Sequence, residues 1–392
     1  MPTMPNPTKG RSWTLVNGLA NAGHDVILAT LYSERDAEYK DILQQRGIRT
    51  IDVSLSRFSK LLNAFQSFVR GEPLQYRLLY APKLQQLMDA VLRNEQIDVI
   101  HIEHLRMTHY AQSWLQHYPI VWDAVDHLAP LFRQAQTQSS SRAWRWISHL
   151  EAPRLERFEV TLSQRFKHIV VISSRDKQTF VKAGAEAKRF TVVPIGRSLP
   201  PLLNVPRNPQ TLILTGNMNY HPNVAAALYF VRSILPLILK RKPNVKLQLV
   251  GAHPTEEIRA LQSNTIEVTG FVDDLNVYLQ SATIAIAPIT YATGAQNKVI
   301  EALMNATPLV ATSLAIENLN LSVGEHVLAA NTPEGFADAV CQLLEDTTLH
   351  RSLGDAGRAF VEENYSVEQV IAQLVTCYEE AITQTKSGMI SL

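Results

Sequence analysis

At 392 residues the chain is too long for one ordinary hydrophobic core and suits two domains of similar size. Hydrophobic residues make up 46% and charged ones 19%, which excludes a disordered polymer and points to a folded globular protein. With 37 basic against 36 acidic residues, a net charge of +1, the chain lacks the basic excess that binding many nucleic-acid phosphates demands.

Met1–Gly10 is polar and proline-rich with no apolar core, so it does not read as a signal peptide. Residues 11–22 read as a helix stopped by Gly23, and 25–31 as a buried strand. A helix over about 36–46 ends at Gly47 and precedes a short strand at 48–53. The segment Arg57–Arg70 carries Phe58, Leu61, Leu62, Phe65, Phe68 and Val69 at helical spacing with cations at its ends. That stripe suits a lipid interface; it also suits a core-facing or partner-facing helix. Helix 83–94 leads to strand 97–102, and strand-like runs recur at 120–123, 168–172 and 190–193. Residues 142–166 read as helical, with Pro153 expected to kink or divide them. Apolar strands alternating with helices predict a parallel sheet covered on both faces.

Residues 194–209 break this rhythm with five prolines and no periodicity, and read as an interdomain linker. A second alternating set follows, with strands at 211–215, 245–250, 265–269, 283–287, 308–311 and 326–329 and helices around 224–242, 255–262, 275–280 and 296–305. After Thr332-Pro333-Glu334, a capped helix start, the chain reads as helical through 336–345, 349–363 and 367–383. The expected organisation is an α/β fold of two doubly wound Rossmann-like domains, 1–193 and 210–366, facing each other across a cleft at their strand ends, with a C-terminal helix, 367–392, packing back on the first. Cys341 and Cys377 offer no metal spacing and no disulfide framework, so a reducing cytoplasm is expected. No run of about 18 apolar residues stands out as a membrane span, which leaves peripheral membrane contact open.

The stretch from Pro288 to Thr312 forms a strand, turn, helix and strand unit. Its turn, Thr293-Gly294-Ala295-Gln296, brings free backbone N–H groups to a helix N-terminus, where phosphate is favoured by the orphan donors and the positive dipole end. Glu301 falls one helical turn after Asn297, with Lys298 beside them, and its carboxylate can accept from the vicinal hydroxyls of a ribose. The combination reads as a nucleotide seat, although dipole compensation alone also places a Glu on a first turn.

With Gly270-Phe-Val-Asp-Asp274, Gly216-Asn-Met-Asn-Tyr-His-Pro-Asn223, Val171-Ile-Ser-Ser-Arg-Asp176 and Pro194-Ile-Gly196 added in this order, nearly the whole chain resembles the retaining nucleotide-sugar glycosyltransferases of the GT-B fold, the group called glycosyl transferases group 1. The resemblance implies that Glu301 holds the donor ribose and that Gly294, Ala295, Gln296 and Asn297 meet the donor diphosphate. It places Phe271 and Val272 against the nucleobase, Gly216 and Asn217 beside the diphosphate, and Gly10 in a first-domain glycine loop. It puts His104 near polar groups that line the acceptor side, where a purely structural role is an equal reading. Asp123 and Asp126 become acceptor contacts, with helix capping as their alternative.

Three departures from the family pattern stand out. The first glutamate of the usual Glu, seven residues, Glu pair is replaced by Thr293. The usual Arg and Lys are absent from 216–223, so Lys298 is the first candidate to meet diphosphate charge and act in catalysis with His104; Arg197, Lys9 and Arg11 come behind it. The family's opening strand has no counterpart in residues 1–9, so a central strand of the first domain is expected to be missing, to be supplied by an apolar stretch upstream. The implied reaction moves a sugar from a nucleoside diphosphate sugar to an acceptor hydroxyl of a saccharide or lipid-linked saccharide, with retention, in polysaccharide or glycolipid assembly. It requires no metal and no cofactor beyond the donor. A nucleotide-sugar epimerase on the same scaffold and a degenerate binding protein are the competing readings. A dinucleotide oxidoreductase fits less well, because no strand leads into Gly-x-Gly-x-x-Gly with a following acid.

Overall fold

Local chemistry sets many of the helix starts. The side chains of Ser56, Ser173, Thr255, Asp274, Thr332 and Asp346 each accept a hydrogen bond from a backbone N–H in the first turn that follows, meeting donors the helix cannot satisfy itself. The computed structural model describes residues 10–32, 37–125, 127–138, 142–203, 205–291 and 297–390. The chain divides into two units, Met1–Gly196 together with Val367–Leu392, and Arg197–Ser366.

The first unit contains α1 (Arg11–Asn21), β1 (Ile27–Tyr32), α2 (Ala37–Gln45), β2 (Arg49–Ser54), α3 (Arg57–Val69), α4 (Leu74–Arg77), α5 (Pro82–Asn94), β3 (Ile100–Glu103), β4 (Ile120–Val125), α6 (Leu128–Gln138), α7 (Arg142–Ser163), β5 (His168–Val171), α8 (Ser174–Lys182) and β6 (Phe190–Val192). The second unit contains β7 (Thr211–Thr215), α9 (His221–Tyr229), α10 (Leu235–Arg241), β8 (Lys246–Val250), α11 (Glu256–Arg259), β9 (Ile266–Gly270), α12 (Leu275–Ser281), β10 (Ile284–Ala287), α13 (Asn297–Met304), β11 (Leu309–Ala311), α14 (Ser313–Ile316), β12 (Leu328–Ala329), α15 (Pro333–Glu345) and α16 (Thr347–Tyr365). The last helix, α17 (Val367–Ile390), belongs to the first unit, where it packs on α1 and β4. Gly18 of α1 makes room for that contact, since a Cβ there would stand 2.6 Å from the Ile371 side chain.

All described strand pairs are parallel. The second unit's sheet has the order β9-β8-β7-β10-β11-β12, a doubly wound arrangement whose direction of winding reverses between β7 and β10. The first unit repeats the pattern in two pieces, β2-β1 and β3-β4-β5-β6. Among the described residues no strand pairs with both β1 and β3, so the two pieces are not joined by a shared strand as β7 joins β8 to β10. Apolar side chains cover both faces of the second sheet in two clusters, one around Leu212, Leu247 and Phe230 and one around Ile213, Ala285 and Leu303. This is why its strands read as continuous apolar runs.

Three sequence expectations change. Pro153 lies inside one continuous helix, α7, because buried Ala152, Leu155 and Leu162 on either side carry the helix past the missing N–H. Of the proline-rich 194–209, the part from Arg197 onward belongs to the second unit: Leu203 N–H donates to Gln280 at 2.6 Å, Asn208 N–H to the Ser281 carbonyl at 2.6 Å, and Arg207 to the carbonyls of Ala282 and Ala306 at 2.7 Å each. The run His221–Arg241 is long and apolar enough by composition to cross a membrane, yet Phe230, Ile234 and Ile238 bury it in the second unit's core.

Candidate functional site

In the second unit the strand ends on either side of the winding reversal carry the candidate residues. Gly216 follows β7 with φ +144°, Gly251 follows β8 with φ +153°, and Gly270 ends β9 with φ +72°. Backbone bonds link the three turns: Gly216 N–H to the Val250 carbonyl at 3.0 Å, Met218 N–H to the Ala252 carbonyl at 2.8 Å, and Gly251 N–H to the Gly270 carbonyl at 3.1 Å. A Cβ on Gly251 would lie 1.8 Å from the Gly216 carbonyl oxygen, so only glycine lets these turns stack. Asn217, next in the chain, is exposed on this surface.

Across the reversal, α13 opens with Asn297 and brings Lys298 and Glu301 onto adjacent turns. Lys298 is only 9% exposed, and its Nζ donates to Asn223 Oδ1 at 2.6 Å. Asn223 Nδ2 in turn donates to the Asn217 carbonyl at 2.9 Å, so one buried amide fixes both the glycine turn and the lysine. Burial pushes the Lys298 ammonium down to about 8, opposed by the nearby Glu301 charge. The half-buried Glu301 carboxyl is pushed up by burial and pulled back by Arg197 and Lys298. Among the described residues no donor is hydrogen-bonded to that carboxylate, while its backbone carbonyl accepts from Asn305 Nδ2 at 2.9 Å. Arg197 Nη2 donates to Asn297 Oδ1 at 2.6 Å and so stands at the same helix start. Phe271, 74% exposed, projects after β9, while Val272 packs in the apolar cluster that also holds Ile300 and Leu303. His221 at the start of α9 hydrogen-bonds Tyr291. Thr293, Gly294, Ala295 and Gln296 lie outside the described residues, as does Asp126.

In the first unit, Asp123 on β4 is 0% exposed. Its Oδ2 accepts from Arg11 Nε at 2.7 Å and its Oδ1 from the Val125 N–H at 3.1 Å. A carboxylate so enclosed anchors Arg11 and the bulge at Val125, whose φ is +62°. Arg11 is likewise held in place, with Nη1 donating to the carbonyls of Val193 and Pro194 at 2.9 Å each. Lys9 lies outside the described residues. Gly10 adopts φ +116° just before α1, which begins with Arg11 itself. His104 follows β3 with φ +66°, and its N–H donates to the Asp123 carbonyl at 2.8 Å. Burial lowers its imidazole to about 4, which keeps the ring neutral near pH 7. Beside it, Glu103 is pushed up by burial and accepts from Ser12 Oγ at 2.7 Å.

The arrangement in the second unit offers a cation with spare donors, a carboxylate with spare acceptors and stacked glycine turns at one reversal point, which is where open α/β sheets take ligands. Asn223 and Gly251 are the contributors that sequence reasoning gave no role; a glycine directly after the apolar run at 245–250 was the available signal for the second.

Residues 11–196 match the family model described as "Glycosyl transferase 4-like domain", and residues 209–346 match the one described as "Glycosyl transferases group 1". An uncharacterized 44.6 kDa protein in the cps region of Klebsiella pneumoniae is 20% identical over 376 residues, covering 91% of this chain and 92% of its own length. The crystal structure of HepE from Anabaena in complex with UDP superposes with a TM-score of 0.61 at 14% identity, covering 96% of this chain and 98% of that one. Sucrose-phosphate synthase from Thermosynechococcus elongatus superposes with a TM-score of 0.59 at 17% identity, covering 95% and 93%. At these identities the superpositions establish a shared fold.

Proposed function

Because the chain belongs to the glycosyl transferases of group 1, GT-B enzymes that use nucleotide sugars, we propose that the Lys298–Glu301 face of its second unit binds the nucleoside diphosphate part of the donor, with UDP as the nucleotide. The observation that carries this reading is the pair itself. A buried ammonium held by Asn223 and a carboxylate without a donor partner among the described residues share one helix at the winding reversal. UDP is favoured because the Anabaena protein of the same fold was crystallised with it.

In the proposed reaction the bond between the sugar's anomeric carbon and the diphosphate oxygen breaks, and an acceptor hydroxyl bonds to that carbon with retained configuration. The diphosphate departs with the electron pair of the broken bond, and its leaving oxygen takes the hydroxyl proton. The chief demand is stabilisation of charge building on the leaving oxygen, and a preorganised Lys298 ammonium meets it without reorganisation. Glu301 accepts from the ribose hydroxyls and sets the nucleotide's register. In the first unit, His104 is the proposed acceptor-side group, since a neutral ring can accept a hydrogen bond from a hydroxyl and orient it. Assembly of a polysaccharide is the proposed setting, in keeping with the cps-region relative.

Thermal unfolding against UDP, GDP, ADP and CMP tests the donor site. UDP at 100 times its dissociation constant should add about 2.7 kcal/mol of stability to the parent. The Glu301→Ala protein should lose about 1.5–3 kcal/mol of nucleotide affinity, the worth of a charge-assisted hydrogen bond. No shift with any nucleotide in a folded parent would reject the site. An anomeric assignment of the product by NMR decides retention, and release of an altered free sugar without acceptor would replace transfer with epimerisation.

A further inference from the structure

Helix α3 is built inside out. Its fully buried side chains are the polar Asn63 and Ser67, and Asn63 Nδ2 donates to the Tyr80 carbonyl at 2.8 Å, which pins that polar stripe against the body of the first unit. Its large apolar side chains point away: Phe58 is 75% exposed and Phe65 63%, and Leu61, Leu62, Phe68 and Val69 are exposed with them. The apolar stripe seen in the sequence therefore covers no core.

Helix α7 extends this face. Trp146, Leu150 and Arg154 recur every four residues along it, Trp146 is 66% exposed, and the Arg154 guanidinium lies 5.2 Å from the centre of the Phe68 ring. Charge is distributed with equal one-sidedness. Residues 57–70 contain Arg57, Lys60 and Arg70 and no acid. Of the acids on the neighbouring segments, Glu72 pairs with Arg77, and Glu151 accepts from the Leu74 N–H at the start of α4 and pairs with Arg154 at 3.4 Å. Among the described residues no ion pair engages Arg57, Lys60 or Arg70. A near-neutral protein thus carries a local positive rim around exposed phenylalanine, leucine and tryptophan.

We propose that the face formed by α3 and α7 docks the protein on an anionic phospholipid bilayer, with the phenylalanines and Trp146 entering the interface and the cations meeting the headgroups. Aromatic and aliphatic side chains flanked by Lys and Arg, on a helix lying in the membrane plane, match the requirements of that boundary. A second copy of the chain is a poor occupant, because a two-fold pairing of this face would set its unpaired cations against one another.

The test is co-sedimentation of the full chain with phosphatidylcholine vesicles, with and without phosphatidylglycerol, for the parent, the double variant Phe58→Ser/Phe65→Ser and the double variant Arg57→Glu/Lys60→Glu. The altered side chains point outward, so the unfolding midpoints should stay at the parent's value. The parent should bind the anionic vesicles, less so in high salt, and both variants should bind at least about tenfold more weakly, the first through lost apolar burial and the second through lost attraction to the anionic headgroups. Absence of binding by the folded parent would overturn the proposal, as would equal binding to vesicles without phosphatidylglycerol or parent-like binding by either variant. Light scattering that shows a dimer dissolved by the phenylalanine variant, without vesicle binding, would assign the face to a second copy instead.

Discussion

Lys298 Nζ and Asn223 Oδ1 meet at 2.6 Å although 75 residues separate them in sequence, and Asn223 also holds the Asn217 carbonyl. One side chain therefore couples the turn after β7 to the helix across the winding reversal. Replacing Asn223 with Ala leaves a buried ammonium without its acceptor. The expected cost is about 1.5–3 kcal/mol in urea unfolding, the range for hydrogen bonds to charged groups, together with about tenfold weaker UDP binding. Parent-like values for both would show that neither the turn nor Lys298 depends on this amide.

Lys298 also gives the site a pH signature with two opposite signs. Burial lowers its ammonium from 10.5 to about 8 in the fold. Between those values the unfolded chain holds a proton that the folded chain has released, so this lysine makes stability rise with pH across the window. Below about 8 both states are protonated and the burial cost of the charge is felt in full. UDP affinity should move the other way, falling as pH rises past about 8, because the diphosphate loses its cation. Isothermal titration in parent and Lys298→Arg decides it; the arginine protein should stay flat where the parent falls, and matching profiles would remove Lys298 from the diphosphate.

What the sequence made legible follows from the range of the interactions. The Lys298 and Glu301 positions are local, set by helical periodicity, and could be read directly. The doubly wound order of the second unit follows from apolar strands alternating with helices. The partners of Lys298 and Asp123 could not be read, because Asn223 and Arg11 are brought to them only by the tertiary fold. Periodicity marked the stripe on α3 but could not say which way it faces, since an amphipathic pattern is unchanged when a helix turns its polar side inward. Pro153 misled because its local cost is outweighed by buried Leu155 and Leu162 on the same helix.

Two glycine replacements should separate steric demand from backbone conformation. At Gly270, φ is +72° and nothing lies within 4 Å of the place an added methyl group would take, so Gly270→Ala should cost about 1–2 kcal/mol, the penalty of left-handed backbone alone. At Gly251 the added carbon would meet the Gly216 carbonyl oxygen at 1.8 Å, which the stacked turns cannot absorb without moving. Gly251→Ala should therefore cost more than about 3 kcal/mol and abolish UDP binding in whatever fraction folds. Equal losses at the two positions would mean that the turns separate freely.

The Arg11–Asp123 pair sets a last expectation, about the frame of the first unit. Arg11 is the first residue of α1, Asp123 sits on β4, and both side chains are buried, with Nε to Oδ2 at 2.7 Å. The remaining contacts of Arg11 are the carbonyls of Val193 and Pro194 just after β6, so a single guanidinium ties a helix start to two strands of the sheet. Removing either partner strands the other's charge in the interior, at a cost of about 3–5 kcal/mol. Asp123→Ala and Arg11→Met should each show that loss in urea unfolding. The double variant Arg11→Met/Asp123→Asn, which strands no charge, should lose less than the sum of the singles by about 1–3 kcal/mol. UDP affinity of the folded Arg11→Met protein should equal the parent's, because the guanidinium is buried and its Nε and Nη1 are committed to Asp123 and two carbonyls. Additive losses would deny the coupling, and a drop in UDP affinity without loss of stability would return Arg11 to the diphosphate.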